Sequence, residues 1–226
     1  MTQQTAEKGF LSMRTTWLVA AAIGFSFAGL PVIAAKAQTP VVATSTSQSA
    51  GQFVQNLADT ALNSINGKRL SNDETETRFR AILRQSFDLK SIGRYVLGTY
   101  YLSATDKEKA DYQQAFENMI VDAYAMRFRD YSGGSFKAGK ETQQGKDTLV
   151  DSQIGQSDGA PPINVTWRVR PEDNSWKIVD VAVEGVSMSA TEKSEFSSVI
   201  DRNGGKVQAL IDAINNHQIG VPTDQQ

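Results

Sequence analysis

Two carboxylates four residues apart, Asp180 and Glu184, stand in a segment that is otherwise mostly apolar, Trp176-Lys177-Ile178-Val179-Asp180-Val181-Ala182-Val183-Glu184. A carboxyl group in an apolar cone can serve as a general acid or base, as in ketosteroid isomerase-like pockets. The plainer reading is an edge-exposed or salt-bridged pair with no chemistry. By strict strand alternation, Val179, Val181 and Val183 share one face, and Asp180 and Glu184 share the other with Ile178. The lone histidine, His217, falls in the last turn of the last predicted helix, where a cation interacts favourably with the helix dipole. No serine or cysteine motif accompanies it. The chain contains no GxSxG, HExxH or P-loop, and no GxGxxG in a strand-to-helix setting. With no cysteine and one histidine, disulfides, thiol catalysis, zinc fingers and multi-histidine metal sites are all disfavoured. No catalytic residue, metal or cofactor is assigned on this basis.

A third group of residues suggests binding rather than catalysis. Tyr112, Phe116, Met119, Ile120, Ala123, Tyr124 and Phe128 recur at helical spacing in one wide stripe. Tyr95, Tyr100 and Tyr101 precede it. Such a stripe, taken alone, is core. Tyrosine also suits a pocket with an apolar floor and a wet mouth, because its ring is apolar and its tip polar.

The elements that must position these residues come in segregated runs. Phe53, Leu57, Ala61 and Ile65 mark a helix near 52–66, closed by Gly67. Ser71 to Thr75 caps a second helix with Phe79, Ile82, Leu83 and Phe87 on its inner face. Asp88 opens a shorter one that Gly98 closes. Thr105-Asp106-Lys107-Glu108 is a capping box opening the long helix, about 105–131. After Gly133-Gly134 the period moves toward two, with strands predicted at 135–142, 147–156, 162–170 and 175–186. Turn signals separate them at Gln144-Gly145-Lys146, Asp158-Gly159 and Glu172-Asp173-Asn174. Helices near 190–202 and 205–217 follow, broken at Asn203-Gly204-Gly205. Helices, then four strands, then helices predict an α+β fold. Its expected core is a curved four-stranded antiparallel sheet covered by helices, an NTF2/cystatin-like arrangement with an apolar cavity.

The 226 residues carry a net charge of −2, which suits one globular domain and argues against nucleic acid as the main partner. Between Arg14 and Lys36 lie 21 uncharged residues, and Ala35-Lys36-Ala37 follows the small-x-small cleavage pattern. Residues 1–37 are therefore expected to form a secretory signal peptide, with Met13 a more ordinary start than Met1. The alternative is an uncleaved anchor. Removing 1–37 leaves 20 Lys and Arg against 24 Asp and Glu, a net charge of −4. Residues 38–51 are Ser/Thr-rich and read as a flexible linker. Residues 52–217 form the domain and 218–226 a tail.

Several strings together resemble the MlaC family, also called toluene-tolerance or auxiliary ABC-transport proteins. They are Phe87-Asp88, Ile92-Gly93-Arg94-Tyr95-Val96-Leu97-Gly98, Ala104-Thr105, and the segment from Trp176 to Ser187 with its Asp-Val-x-Val-Glu-Gly-Val-Ser string. Phe196 and the Gly204-Gly205 helix complete the set, and the resemblance covers about residues 52–217. Two places depart from the family pattern: near Tyr100/Tyr101, where the usual aromatic residue is often tryptophan, and Lys193, where arginine is usual. The resemblance implies a periplasmic lipid carrier with no enzymatic activity. Such a protein shuttles phospholipid between an outer-membrane lipoprotein complex and an inner-membrane ABC transporter complex, maintaining outer-membrane asymmetry. It implies tails held between sheet and helices, with contacts expected from Phe87, Tyr95, Leu97, Tyr101, Tyr112, Phe116, Met119, Ile120, Tyr124, Val165, Trp167, Ile178, Val181 and Val183. Arg94 and Lys90 are the headgroup candidates, with solvated surface charge the plainer reading for Lys90. A carboxylate-based enzyme, an envelope adaptor without cargo and a hopanoid-associated carrier stay open as alternatives.

Overall fold

The structure is a computed structural model, and it describes residues 48–65, 68–130, 134–156 and 160–219. The predicted signal peptide, residues 38–47 of the linker, Gly67, Asp158-Gly159 and most of the tail lie outside the described residues.

Four helices come first: α1 (Ala50–Ile65), α2 (Asn72–Ser86), α3 (Leu89–Leu97) and the single turn α4 (Tyr100–Ser103). The long helix α5 (Asp106–Asp130) leads into strands β1 (Ser135–Gln144), β2 (Asp147–Gly155), β3 (Ile163–Glu172), β4 (Ser175–Val183) and β5 (Val186–Ser187). Helices α6 (Met188–Arg202) and α7 (Val207–Asn215) close the described chain.

The helix starts are set by local chemistry. The Ser71 hydroxyl accepts from the Glu74 amide while the Glu74 carboxylate accepts from the Ser71 amide. The same reciprocal pair forms between Thr105 and Glu108 at the head of α5. Each box satisfies amides that the first helical turn leaves without an intrahelical acceptor. Asp88 caps α3 by accepting from the Ser91 amide at 3.0 Å. Its own amide donates to the Ile178 carbonyl at 2.9 Å, which ties the α2–α3 junction to β4.

The sheet corrects the expected architecture. It is an open, fully antiparallel sheet of five strands in sequence order, not a curved four-stranded one. The extra strand arises because the predicted strand 175–186 is folded on itself. Glu184 has φ 47° and Gly185 φ 83°. Two successive positive φ values are what a tight two-residue hairpin turn of the primed type requires. Val183 therefore pairs with Val186, and Ala182 with Ser187.

A second irregularity corrects the facing of β4. Val169 pairs with Ile178 but Arg168 pairs with Asp180, so Val179 is an extra residue with no partner of its own. This bulge shifts the alternation by one. Ile178, Val181 and Val183 then lie opposite Val169, Trp167 and Val165, all on one face. The sequence expectation had put Ile178 on the other face from those two valines.

Apolar side chains gather in three clusters. One joins α3, α5, α6 and α7 around Tyr112, Phe116, Phe196, Ile200 and Leu210. A second packs α1 on the sheet through Ala50, Val54, Val150, Val169 and Ile178. A third links α2, α3 and α5 through Leu83, Leu89, Val121 and Ala125. Arg80 and Arg84 of α2 both reach Glu117 of α5 at 2.8 Å, pinning these two helices at their solvent edge.

Candidate functional site

The three clusters do not close on one another. Where they meet, between the inner face of the sheet and the helices, lies an apolar cavity of about 490 Å³ that is partly open to solvent. Its wall is built element by element. Helix α2 supplies Phe79 and Leu83, and Phe87 follows at its end. Helix α3 adds Leu89, Ile92 and Val96. The α5 stripe turns Phe116, Met119, Ile120, Tyr124 and Phe128 onto it. The sheet contributes Ile154, Ile163, Val165, Trp167, Val181 and Val183. At one end stand Met188, Ser189 and Glu192 of α6, with Asp180 of β4.

Polar atoms in this wall are mostly committed elsewhere. The Trp167 indole N–H donates to the Ser152 hydroxyl at 2.8 Å, and that hydroxyl donates to the Val165 carbonyl at 3.1 Å. Asp180 accepts from the Ser187 hydroxyl at 2.7 Å and from the amides of Val181 and Ser189 at 2.9 and 3.2 Å. A buried polar group so satisfied carries little penalty, and an apolar ligand meets carbon around it.

Nine of the fourteen expected contact residues line the cavity: Phe87, Phe116, Met119, Ile120, Tyr124, Val165, Trp167, Val181 and Val183. Five do not. Tyr112, Leu97 and Ile178 are essentially fully buried core, and the Tyr112 hydroxyl donates to the Gly93 carbonyl at 3.0 Å. Burial and the nearby Glu192 raise the Tyr112 phenol well above its ordinary value. Tyr95 is half exposed beneath the Lys193 ammonium, 4.7 Å from its ring. Tyr101 lies under both Arg94 and Lys109, at 5.0 and 5.2 Å. Arg94 and Lys90, the expected headgroup residues, are exposed and do not line the cavity.

Several wall residues lie outside the expected set: apolar ones such as Phe79, Leu89, Ile92, Ile154 and Ile163, and two charged helical ones, Arg127 and Glu192. Arg127 lines the cavity while staying exposed, with its guanidinium 5.8 Å from the Tyr124 ring centre. Arg127 is four residues past Ala123 and three past Tyr124, so helical spacing places it on the α5 stripe. Glu192 lies four residues before Phe196 on the buried face of α6. A carboxylate on an apolar face was the signal there.

The carboxylate pair of the catalytic reading comes apart. Asp180 is held by three donors, as above. Glu184 is exposed at the hairpin and accepts from the Asn164 amide at 2.7 Å. That hydrogen bond holds its carboxyl below the ordinary glutamate value. Both therefore shape the β4–β5–α6 connection. His217 follows the end of α7 with φ 52°, exposed, 4.0 Å from Asp122.

Comparison with known proteins fits this geometry. A family model described as MlaC protein matches residues 55–216. The intermembrane phospholipid transport system binding protein MlaC of Haemophilus influenzae is 23% identical over 160 residues, 67% of this chain and 75% of that protein. The structure of a phospholipid-binding protein from Ralstonia solanacearum, in complex with a phospholipid, superposes with a TM-score of 0.67 at 22% identity. That likeness covers 75% of this chain and 96% of the other, and it shows the shared fold.

Proposed function

The chain belongs to the MlaC family, and we propose that it is a periplasmic carrier that encloses phospholipid tails in the cavity between sheet and helices. The observation that carries this reading is the cavity itself, walled by carbon from seven elements and partly open to solvent. At about 30 Å³ for a unit the size of a water molecule, 490 Å³ holds about 16 methylene-sized groups, on the order of one acyl chain. At ~0.8 kcal/mol per methylene, enclosing such a chain is worth on the order of 13 kcal/mol. Unassisted passage of a diacyl lipid through water is therefore negligible, and a protein that covers even one tail lowers that barrier steeply. The headgroup stays at the open side, where Arg127 places a cation that attracts a phosphate.

The protein is a binding and transport protein, not an enzyme, and it works within a phospholipid transport system. Its partners in this reading are an outer-membrane lipoprotein complex and an inner-membrane ABC transporter complex. Residues 1–37 direct export and are removed. No residue of the carrier sets a direction, so net flow follows from the partners and their energy input.

Incubation with vesicles of mixed phosphatidylglycerol and phosphatidylethanolamine, followed by separation on size, tests the reading. Diacyl lipid should elute with the protein. Arg127→Gln should lower the phosphatidylglycerol share a few-fold, the scale of one exposed charge contact. Protein emerging free of lipid would refute the carrier reading.

A further inference from the structure

Glu192 is the one group of the cavity wall whose chemistry the carrier reading leaves unused. It lines the cavity, is 6% exposed, and neither carboxyl oxygen has a hydrogen-bond partner among the described residues. A buried carboxyl without a partner costs stability. Its neighbours do not relieve it. Asp180 from β4 is occupied by the donors of Ser187, Val181 and Ser189. The Tyr112 hydroxyl from α5 is directed to Gly93. Glu195, on its own helix, is a further negative charge. Arg127 lines the same cavity but lies over Tyr124 and stays exposed. The α2 and α3 residues of the wall are all apolar.

We propose that Glu192 is a lipid-selecting residue: its protonated carboxyl donates a hydrogen bond to an acyl ester carbonyl of the enclosed lipid. The chemistry follows from the surroundings. A carboxyl in a carbon-walled cavity is most stable in its neutral form, which is a donor and needs an acceptor. Burial, with Glu195 adding to it, pushes the carboxyl up to about 7. The acceptor must itself be neutral, because a phosphate among apolar side chains would carry its own desolvation cost. In a diacyl phospholipid the neutral oxygens between head and tail are the ester groups. The proposal rests on the carrier reading and adds to it a preference for ester-linked over ether-linked lipid.

The sign of the pH effect follows. A raised carboxyl is protonated below its shifted value and ionised above it. The ester preference is therefore present at pH 6 and fades as pH rises through about 7.

The test uses protein expressed from the full chain and recovered after export. It is incubated with vesicles containing equal dipalmitoyl and dihexadecyl-ether phosphatidylglycerol, and the bound pair is quantified by mass spectrometry. Wild type should favour the ester about three- to tenfold at pH 6, the scale of one hydrogen bond, and about equally bind both at pH 8.5. Glu192→Gln, a neutral donor of the same shape, should keep the preference at both pH values. Glu192→Leu should bind both lipids equally throughout. Equal binding by wild type at pH 6, or an unchanged preference in Glu192→Leu, would overturn the proposal and leave the carrier reading standing. Wild type that binds neither lipid would overturn the carrier reading itself.

Discussion

Filling the cavity from the sheet side separates a binding wall from an ordinary core. Val181 lies on β4 opposite Trp167 of β3, half-buried, with its side chain on the cavity. Tryptophan is well tolerated in strands, so Val181→Trp should leave the sheet intact. The larger ring would take roughly three of the methylene-sized places in the cavity. At ~0.8 kcal/mol each, that removes about 2–3 kcal/mol of tail burial, or about two orders of magnitude in lipid affinity. The lipid-free protein should move the other way, gaining up to about 1–2 kcal/mol because new apolar surface fills an apolar space. Thermal melts of lipid-free protein and lipid retention against vesicles read the two effects separately. A folded Val181→Trp protein that retains lipid like wild type would show that the ring does not compete with tails, and the cavity would lose its assigned role.

Ile178→Ala is the companion experiment: Ile178 is fully buried on the same face but outside the cavity wall. It should lose about 2–5 kcal/mol in denaturant titration while the lipid content per folded chain holds. Asp147 is a buried carboxylate hydrogen-bonded by Arg170 at 2.7 and 2.9 Å, and that guanidinium holds it below the ordinary aspartate value. A depressed carboxylate stabilises the fold above its unfolded value and loses that contribution as pH falls through the native one. Asp147→Asn should therefore cost about 1–3 kcal/mol at neutral pH and show a flatter acid limb in melts across pH. Gly185→Ala meets no atom within 4 Å, so its cost is that of holding φ at 83°, about 1 kcal/mol. A fall in melting temperature of a few degrees should register it.

The local elements were legible because local chemistry sets them. The boxes at Ser71 and Thr105, the Asp88 cap and the glycine after α3 can be read from residue types alone. So could the antiparallel order, since the turns between strands are short. Two features of the sheet were hidden for related reasons. Val-Glu-Gly-Val continues the apolar pattern of β4, so nothing in the periodicity marks the hairpin that creates β5. The bulge at Val179 depends on pairing with β3, and one unpaired residue there reverses the facing of Ile178. Single-turn α4 is too short to show a period.

The site was legible as an inward face but not as a cavity. Helical spacing places Tyr112, Phe116 and Tyr124 on one stripe of α5. It does not say that Tyr112 is buried against Phe196 while Tyr124 borders the cavity. Whether an inward side chain touches protein or ligand is decided by how α3 and α6 pack across it. The same limit explains Leu97 and Ile178. Arg94 sits among apolar residues in sequence, yet its helix turns it outward over Tyr101. Arg127 and Glu192, the helical charged residues that border the cavity beside Asp180 of β4, sit at helical spacing from residues already assigned.

Native mass spectrometry of the exported protein, purified without detergent and then extracted for lipid analysis, tests the central claim most directly. Enclosure of tails predicts diacyl phospholipid bound to the folded chain, lost in Val181→Trp. A folded, monodisperse wild-type protein that carries no lipid would contradict the account.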